Sequence, residues 1–471
     1  MVFSSYLFLF AFLPLCFISY YSLPKNWKNA CLVIWSYLFY GWGAPKVLPL
    51  LIALTVLNYA LGRQICQAPQ ARKRRYLTAG IVVNLAGLIY FKYANFFVAE
   101  VNRFLLAQGY AALDWTEVLL PIGISFFTFH YISYLVDVYR GLVQPARNLV
   151  DFALYIALFP QLIAGPIIRY HDIGEQIRER MHSVDFVYSG ICRFCLGLAK
   201  KVLIADSMGR VADNVFQLNL DQVSSFYAWV GIIAYAYQIY FDFSGYSDMA
   251  IGLGKMFGFT IPENFNRPYI SRNLTEFWRR WHLSLSRWMR DYLYIPLGGN
   301  KGTVFSTYRN LWTVFLLSGL WHGASWTFIF WGAYHGLFLT LDKLGWEKIS
   351  KSLPAFCAVG INFIVVLVGW VFFRANSLVD AFTFLGRMFF LSAPNPELYW
   401  PARIEIFHDR ALWVFIFATV ISFCPLPEIN KTSNWLRSSK VLEPVVALGC
   451  LILSLLALST TDYNPFIYYR F

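Results

Sequence analysis

Runs of about 20 mostly apolar residues recur along the whole chain, separated by short polar breaks, and this pattern predicts membrane-spanning helices. Candidates lie near residues 6–22, 29–41, 46–62, 78–97, 117–138, 149–167, 186–205, 225–244, 308–330, 328–345, 355–374, 378–392, 411–426 and 441–460. Several are short or interrupted by Gly and Pro, which predicts tilted or re-entrant segments among them. The expected fold is all-α and polytopic, with about eleven to fourteen helices in one integral-membrane domain over residues 1–471. No internal repeat and no separate soluble domain is visible.

The opening segment MVFSSYLFLFAFLPLCFISYYSL has neither a basic leader region nor a small-residue cleavage site, so it reads as a retained first span. Lys25 and Lys28 follow it, and Arg72, Lys73, Arg74 and Arg75 follow two spans later on the same side. The positive-inside rule makes that side cytoplasmic, and the GWGAPK link then faces the other compartment. Beyond residue 168 the charges are mixed and give no orientation.

Composition agrees: 14% of the 471 residues are charged, 58% are apolar, and there are 44 Phe, 30 Tyr and 17 Trp. The net charge of +13 sits in short loops between apolar runs. That makes it a topology signal and a contact with anionic lipid or substrate, not a nucleic-acid surface. The eight cysteines are scattered through apolar segments and define no disulfide framework. Cys192 and Cys195 form a CxxC, but with no second pair or nearby His they read as buried thiols, and no metal site is expected.

One polar stretch, about 261–307, breaks the pattern; its centre is WRRWHLSLSRWMRDYLYIPLGG, residues 278–299. Residues 264–301 carry six Arg and one Lys against one Glu and one Asp. Asn273 with Glu276 predicts a capping box opening a helix that Pro296 and Gly298–Gly299 close. On that helix Phe277, Trp281, Leu285, Trp288 and Tyr292 form one aromatic stripe, with Arg279, Arg280, Arg287 and Arg290 largely elsewhere. The simplest reading is an interfacial anchor with arginines on lipid headgroups. The chemical reading adds His282, beside Trp278 and Ser286 at helical spacing, where a partly desolvated imidazole stays neutral and can accept a proton. The arginines can hold a phosphate, such as that of coenzyme A, or the carboxylate of an acidic sugar. A second polar stretch, roughly 393–410, offers little beyond His408.

The run LLSGLWHGASWTFIFWGAYHG, residues 316–336, places His322 where no charged residue occurs from Leu311 to Thr340. An ionisable group at membrane depth is costly and is by default a functional candidate. Gly319 and Gly323 leave room for a substrate or a neighbouring backbone, and Trp321 and Trp326 can wall a channel. Ser318, four residues before His322, permits a Ser–His pair. No Asp or Glu in the stretch can orient the imidazole, so Ser318 suits helix packing better. His335 reads as a packed histidine bonded to a carbonyl on another helix.

The NFNRPY and FWRRWHLSLSRWMRDYLYIPLGG runs within 264–301, followed by LWHGASW at 320–326, resemble the membrane-bound O-acyltransferase family, and best its alginate O-acetyltransferase-like branch. The opening MVFSS, PIGISFFTFHYISYLVDVYRG at 121–141, FPQLIAGPI at 159–167, YFDFSGYSDMAIGLGKMFG at 240–258, VFFRA at 371–375 and FIYYRF at 466–471 fit it too, so the resemblance covers nearly the whole chain. It implies a ring of helices around a central funnel and tunnel, with His322 catalytic and His282 the second active-site position. It implies passage of acetyl groups from a cytoplasmic donor, acetyl-CoA, across the bacterial inner membrane for O-acetylation of a secreted polysaccharide, alginate first. The partners implied are periplasmic SGNH-type acetyltransferases, the exopolysaccharide synthesis and secretion complex, and membrane lipid; no cofactor is expected to stay bound.

On that picture neutral His322 takes the acceptor's proton, and His282 orients the acceptor or polarises the carbonyl. Arg279, Arg280, Arg287, Arg290, Trp281, Trp321 and Ser318 are the expected donor- or substrate-binding residues. No cysteine lies near either histidine in sequence, which argues against a Cys-bound acyl intermediate. Asp242, Asp248 and Asp291 read as structural supports that bond the arginines, and Arg169 and Arg374 as snorkelling ends. Rival readings are acetylation of bacterial cellulose, D-alanyl export to teichoic acid, a transporter, and a scaffold without chemistry. The short tail after VFFRA keeps cellulose in play, the end motifs count against D-alanyl export, and the missing repeat counts against a transporter.

Overall fold

The computed structural model describes residues 1–391, 410–424, 442–460 and 463; they contain helices and no strand. His408, nearly all of the 393–410 stretch and the closing FIYYRF lie outside the described residues. Two compact units are formed, one from residues 1–190 with 250–262 and the other from 191–249 with 263–471.

In the first unit the apolar runs become α1 (Leu13–Ser22), α2 (Lys28–Gly43), α3 (Leu48–Gln67), α4 (Gln70–Ala107) and α5 (Ile124–Tyr139), then the short α6 (Leu149–Ala157) and α7 (Tyr170–Arg178). Helix α4 has 38 residues, roughly 57 Å at 1.5 Å per residue, well beyond a hydrocarbon core of about 30 Å. Arg72, Lys73, Arg74 and Arg75 therefore belong to its first turns and not to a loop. The expected 149–167 span is only half a helix. Asn148 caps α6 by accepting from Asp151 N–H at 2.8 Å, and the helix stops at Ala157. The irregular chain after it is buried, and an unwound buried backbone needs internal partners. Phe159 N–H donates to Ser36 Oγ at 3.1 Å, and the Gln161 amide donates to the Tyr155 carbonyl. Gly123 (φ 77°) lets α5 start against this chain, where any Cβ would meet the Leu162 carbonyl at 2.9 Å.

The second unit is built on α8 (Val184–Ala199), α9 (Asp206–Phe216) and α10 (Ser225–Met256), followed by α11 (Leu274–Trp278), α12 (Leu283–Met289), α13 (Val304–His322), α14 (Trp326–Leu341), α15 (Glu347–Ser352), α16 (Ala355–Arg374), α17 (Leu378–Met388), α18 (Ala411–Phe423) and α19 (Leu442–Ser459). Among the described residues, α3, α4, α16 and α19 are long and apolar enough to cross a membrane. Two close crossings organise this unit. A Cβ on Gly197 would lie 2.6 Å from the Gly245 carbonyl, and one on Gly245 would lie 2.7 Å from the Gly197 carbonyl, so α8 and α10 touch backbone to backbone. Helices α13 and α14 do the same, with Gly319 against the Phe328 carbonyl and Gly332 against the Phe315 carbonyl.

Most buried charge in this unit is paired, but not as the sequence suggested. Asp242 and Asp248 do not bond the arginines of the 278–299 segment. Asp242 meets Lys201 Nζ at 3.1 Å, and Lys201 also reaches Asp206 at 2.6 Å. A π-helical stretch, Lys200–Ala205, places the neighbouring Lys200 on Asp248 at 2.6 Å. Arg193 joins Asp248 (2.5 Å) to Glu263 (2.7 Å). Asp291 does bond an arginine, Arg290, at 2.7 Å. Arg169 and Arg374 are not simply snorkelling: they pair with Asp172 at 2.9 Å and Asp213 at 2.8 Å.

Candidate active site

The expected continuous helix through residues 273–296 is broken. Asn273 does cap α11, accepting from Glu276 N–H at 2.8 Å, while Glu276 reaches back to Arg272 N–H at 2.9 Å. The helix then stops at Trp278, and α12 starts only at Leu283. His282 sits in the gap with φ 45° and ψ 54°, a left-handed conformation that costs a non-glycine residue about 1–3 kcal/mol. The aromatic stripe is accordingly not one helical face, although Phe277, Trp281, Leu285 and Trp288 are all buried.

The NFN segment enforces this turn. Asn266 N–H donates to the Arg280 carbonyl at 2.8 Å, Leu283 N–H to the Asn264 carbonyl at 2.9 Å, and Ser284 N–H to Asn264 Oδ1 at 3.2 Å. The last bond identifies Oδ1 as an acceptor. The same oxygen lies 3.1 Å from His282 Nδ1, so Nδ1 carries the proton and donates. The basic lone pair of His282 is therefore on Nε2, a buried atom with no hydrogen-bond partner among the described residues. Burial first, and His322 second, hold this imidazole well below its usual range, so it is neutral. Phe243 of the FDFSGYSD run stands edge-on to it at 4.6 Å, and Asn264 is itself anchored by its amide to Ser247 Oγ at 3.1 Å.

His322 ends α13 and is 6% exposed. Its Nδ1 lies 2.7 Å from the Ser318 carbonyl oxygen. A carbonyl can only accept, so Nδ1–H donates and the unprotonated nitrogen is again Nε2. Ser318 thus serves the histidine through its main chain, four residues back, and not as a hydroxyl nucleophile. The rings of Trp321, Trp331 and Phe373 surround His322 at 4.8, 4.9 and 5.4 Å. Gly323 takes the Phe328 ring where a Cβ would be, so both flanking glycines accommodate protein and not open space.

Trp321 ties the two histidines into one site, with its ring 6.4 Å from His282 and 4.8 Å from His322. Other expectations separate. Trp281 packs in an aromatic layer with Phe277 (5.6 Å) and Trp370 (5.0 Å). Trp326 is half exposed and does not share the burial of Trp321. Arg280 is committed to Glu276 at 2.8 Å and to the Asn266 carbonyl. Arg279, Arg287 and Arg290 are exposed, and among the described residues no carboxylate pairs with Arg279 or Arg287. His335 is packed among Trp278, Trp331 and Tyr334, but neither ring nitrogen bonds a carbonyl. Sequence reasoning missed Asn264, Phe243 and Phe373. All three lie in runs it singled out, and a buried amide beside an invertible backbone turn leaves no periodic signal.

A sequence profile of the MBOAT, membrane-bound O-acyltransferase, family matches residues 70–379. The chain is 44% identical to a probable alginate O-acetylase AlgI of Azotobacter vinelandii, with all of both chains covered. It is 50% identical to the probable alginate O-acetylase AlgI of Pseudomonas aeruginosa over 83% of this chain and 75% of that one. It is also 34% identical to the peptidoglycan O-acetyltransferase of Helicobacter pylori over 100% of this chain and 98% of that one.

Proposed function

Because this chain belongs to the membrane-bound O-acyltransferase family, we propose that it is the membrane-embedded O-acetyltransferase of alginate acetylation. The observation that carries the chemistry is the pair of sheltered imidazoles on either side of Trp321, each with Nδ1 engaged as a donor, which puts the lone pair of the neutral ring on Nε2. His322 Nε2 removes the proton from an acceptor hydroxyl as its oxygen attacks the acetyl carbonyl. The thioester C–S bond breaks, and the thiolate takes the proton back from the imidazolium. An unprotonated Nε2 cannot donate to a carbonyl, so the tautomer of His282 favours orienting the acceptor hydroxyl over polarising the acetyl group. Acetyl-CoA is the proposed donor, with Arg279 and Arg287 available to its phosphates. The proposed setting is the bacterial inner membrane, and the proposed recipients are periplasmic SGNH-type acetyltransferases of a secretion complex.

Ester-linked acetate on secreted alginate from a host lacking its own acetylase tests this reading. Expression of the chain is expected to restore it. The full-length likeness to a peptidoglycan O-acetyltransferase favours a second reading. Acetate gained on peptidoglycan, with none on alginate, would put that reading in place of the first.

Asn264 is a positioning residue here. Asn264→Ala is expected to slow transfer by about 10- to 100-fold in membrane vesicles. Asn264→Asp keeps the acceptor and adds a charge that favours the imidazolium, so the acidic limb of the rate profile should move to higher pH. An unmoved limb together with a normal Ala variant would remove Asn264 and its hydrogen bond from the mechanism.

A further inference from the structure

The first unit carries a polar cluster that acyl transfer does not use. Tyr20 on α1 accepts from Arg180 Nε at 2.9 Å and shares a 2.7 Å hydrogen bond with His182 Nε2. Arg180 Nη2 donates to Asn29 Oδ1 at 2.7 Å, and the guanidinium carbon lies 4.4 Å from the centre of the Phe259 ring. Lys28 Nζ stands over the rings of Tyr20 and Tyr21 at 4.7 and 4.9 Å.

Every partner of these two cations is neutral: phenols, an amide and ring faces. Among the described residues no carboxylate pairs with Lys28 or Arg180. Asp151 is reached only through Asn29, and Glu179 is taken by Lys25 at 3.4 Å. Arg180 Nη1 is buried and meets no protein acceptor among the described residues. Burial first, then the charges of Lys28, Arg180 and Lys25, hold the His182 imidazole below its usual range, so it adds no positive charge of its own at neutral pH.

A fixed guanidinium fork beside a point charge, with donors unmet, suits an anion bearing several oxygens. Lys25 and Lys28 lie on the side that the positive-inside rule makes cytoplasmic, and their bonds and contacts bring residues 179–182 to that side as well. Trp27, exposed next to Lys28, is of the residue type that favours headgroup depth. We propose that Lys28 and Arg180 form a site for a phosphate group, supplied by the headgroup of an anionic phospholipid in the cytoplasmic leaflet; Tyr20, whose hydroxyl also bonds the Phe257 carbonyl at 3.1 Å, holds the guanidinium in place.

The test uses the purified full chain in detergent, titrated with short-chain phosphatidylglycerol, phosphatidylcholine or inorganic phosphate while the thermal midpoint is followed. Phosphatidylglycerol is expected to raise the midpoint saturably and the other two only weakly. Lys28→Gln and Arg180→Gln should each weaken the response about tenfold, and Lys28→Arg should keep it. An equal rise with inorganic phosphate would overturn the lipid as the source. A phosphatidylglycerol response unchanged in the Lys28 variant would overturn the site. The Lys28 ammonium makes no hydrogen bond among the described residues, only ring contacts, so Lys28→Gln is expected to fold and decides the matter even if Arg180→Gln does not.

Discussion

Replacing His322 with Ala is expected to leave insertion and folding intact and to lower acetyl transfer by about 10²- to 10⁴-fold, the range a positioned general base supplies. The ring is held from two directions. Its Nδ1 is committed to the Ser318 carbonyl, and Trp321, Trp331 and Phe373 close on its faces. Both restraints act on Nδ1 and the ring, so they orient the proposed base at Nε2. His322→Gln separates packing from chemistry. Its amide can still donate to the Ser318 carbonyl and nearly fills the space, yet it cannot take a proton at neutral pH. Both variants should reach the membrane at the parental yield, and the Gln variant should also match the parent in thermal midpoint. Polymer acetate from the Gln variant at the parental level would remove His322 as the base and leave it a packing residue.

The second large effect is on stability. Lys201→Met is expected to destabilise the fold by about 3–5 kcal/mol, because it strands Asp206 and Asp242 without their shared counter-charge. All three side chains are buried, at 3%, 4% and 2% exposure, so water cannot make up the loss. The variant should show a lowered thermal midpoint and a sharply reduced folded yield in detergent. Removing all three charges together, as Lys201→Met with Asp206→Leu and Asp242→Leu, should recover much of the deficit, since no unpaired charge then remains. A Lys201→Met protein as stable as the parent would show that the trio is not held as a charged unit.

How much of this was readable in the chain depended on the range of the interaction. The spans were legible because hydropathy is a local property, and α2, α3 and α16 fall close to their expected limits. Helix α4 overran its apolar core because its polar first turns are also good helix formers. His322 stood out as one of two histidines in a run otherwise free of charged residues, the one flanked by Gly319 and Gly323. His282 was legible as a residue but not as a geometry. Local spacing favoured one helix, and the bonds that break it come from Asn264 and Asn266, some 15 residues away. The partners of Asp242 and Asp248 were assigned to the nearest basic run, yet Lys200, Lys201 and Arg193, about 40–55 residues upstream, hold them, because the close crossing at Gly197 and Gly245 brings α8 there first. The arginines' expected role at the histidines rested on sequence proximity, and Arg280 turned out to be committed elsewhere.

The positive φ of His282 has a consequence for engineering. Glycine or asparagine would rest there more comfortably than histidine does. Selection for heat resistance alone should therefore discard this side chain early, and the hardiest descendants would lack the imidazole on which the proposed chemistry depends. A screen that demands turnover at every round is what would keep the imidazole in its awkward pose.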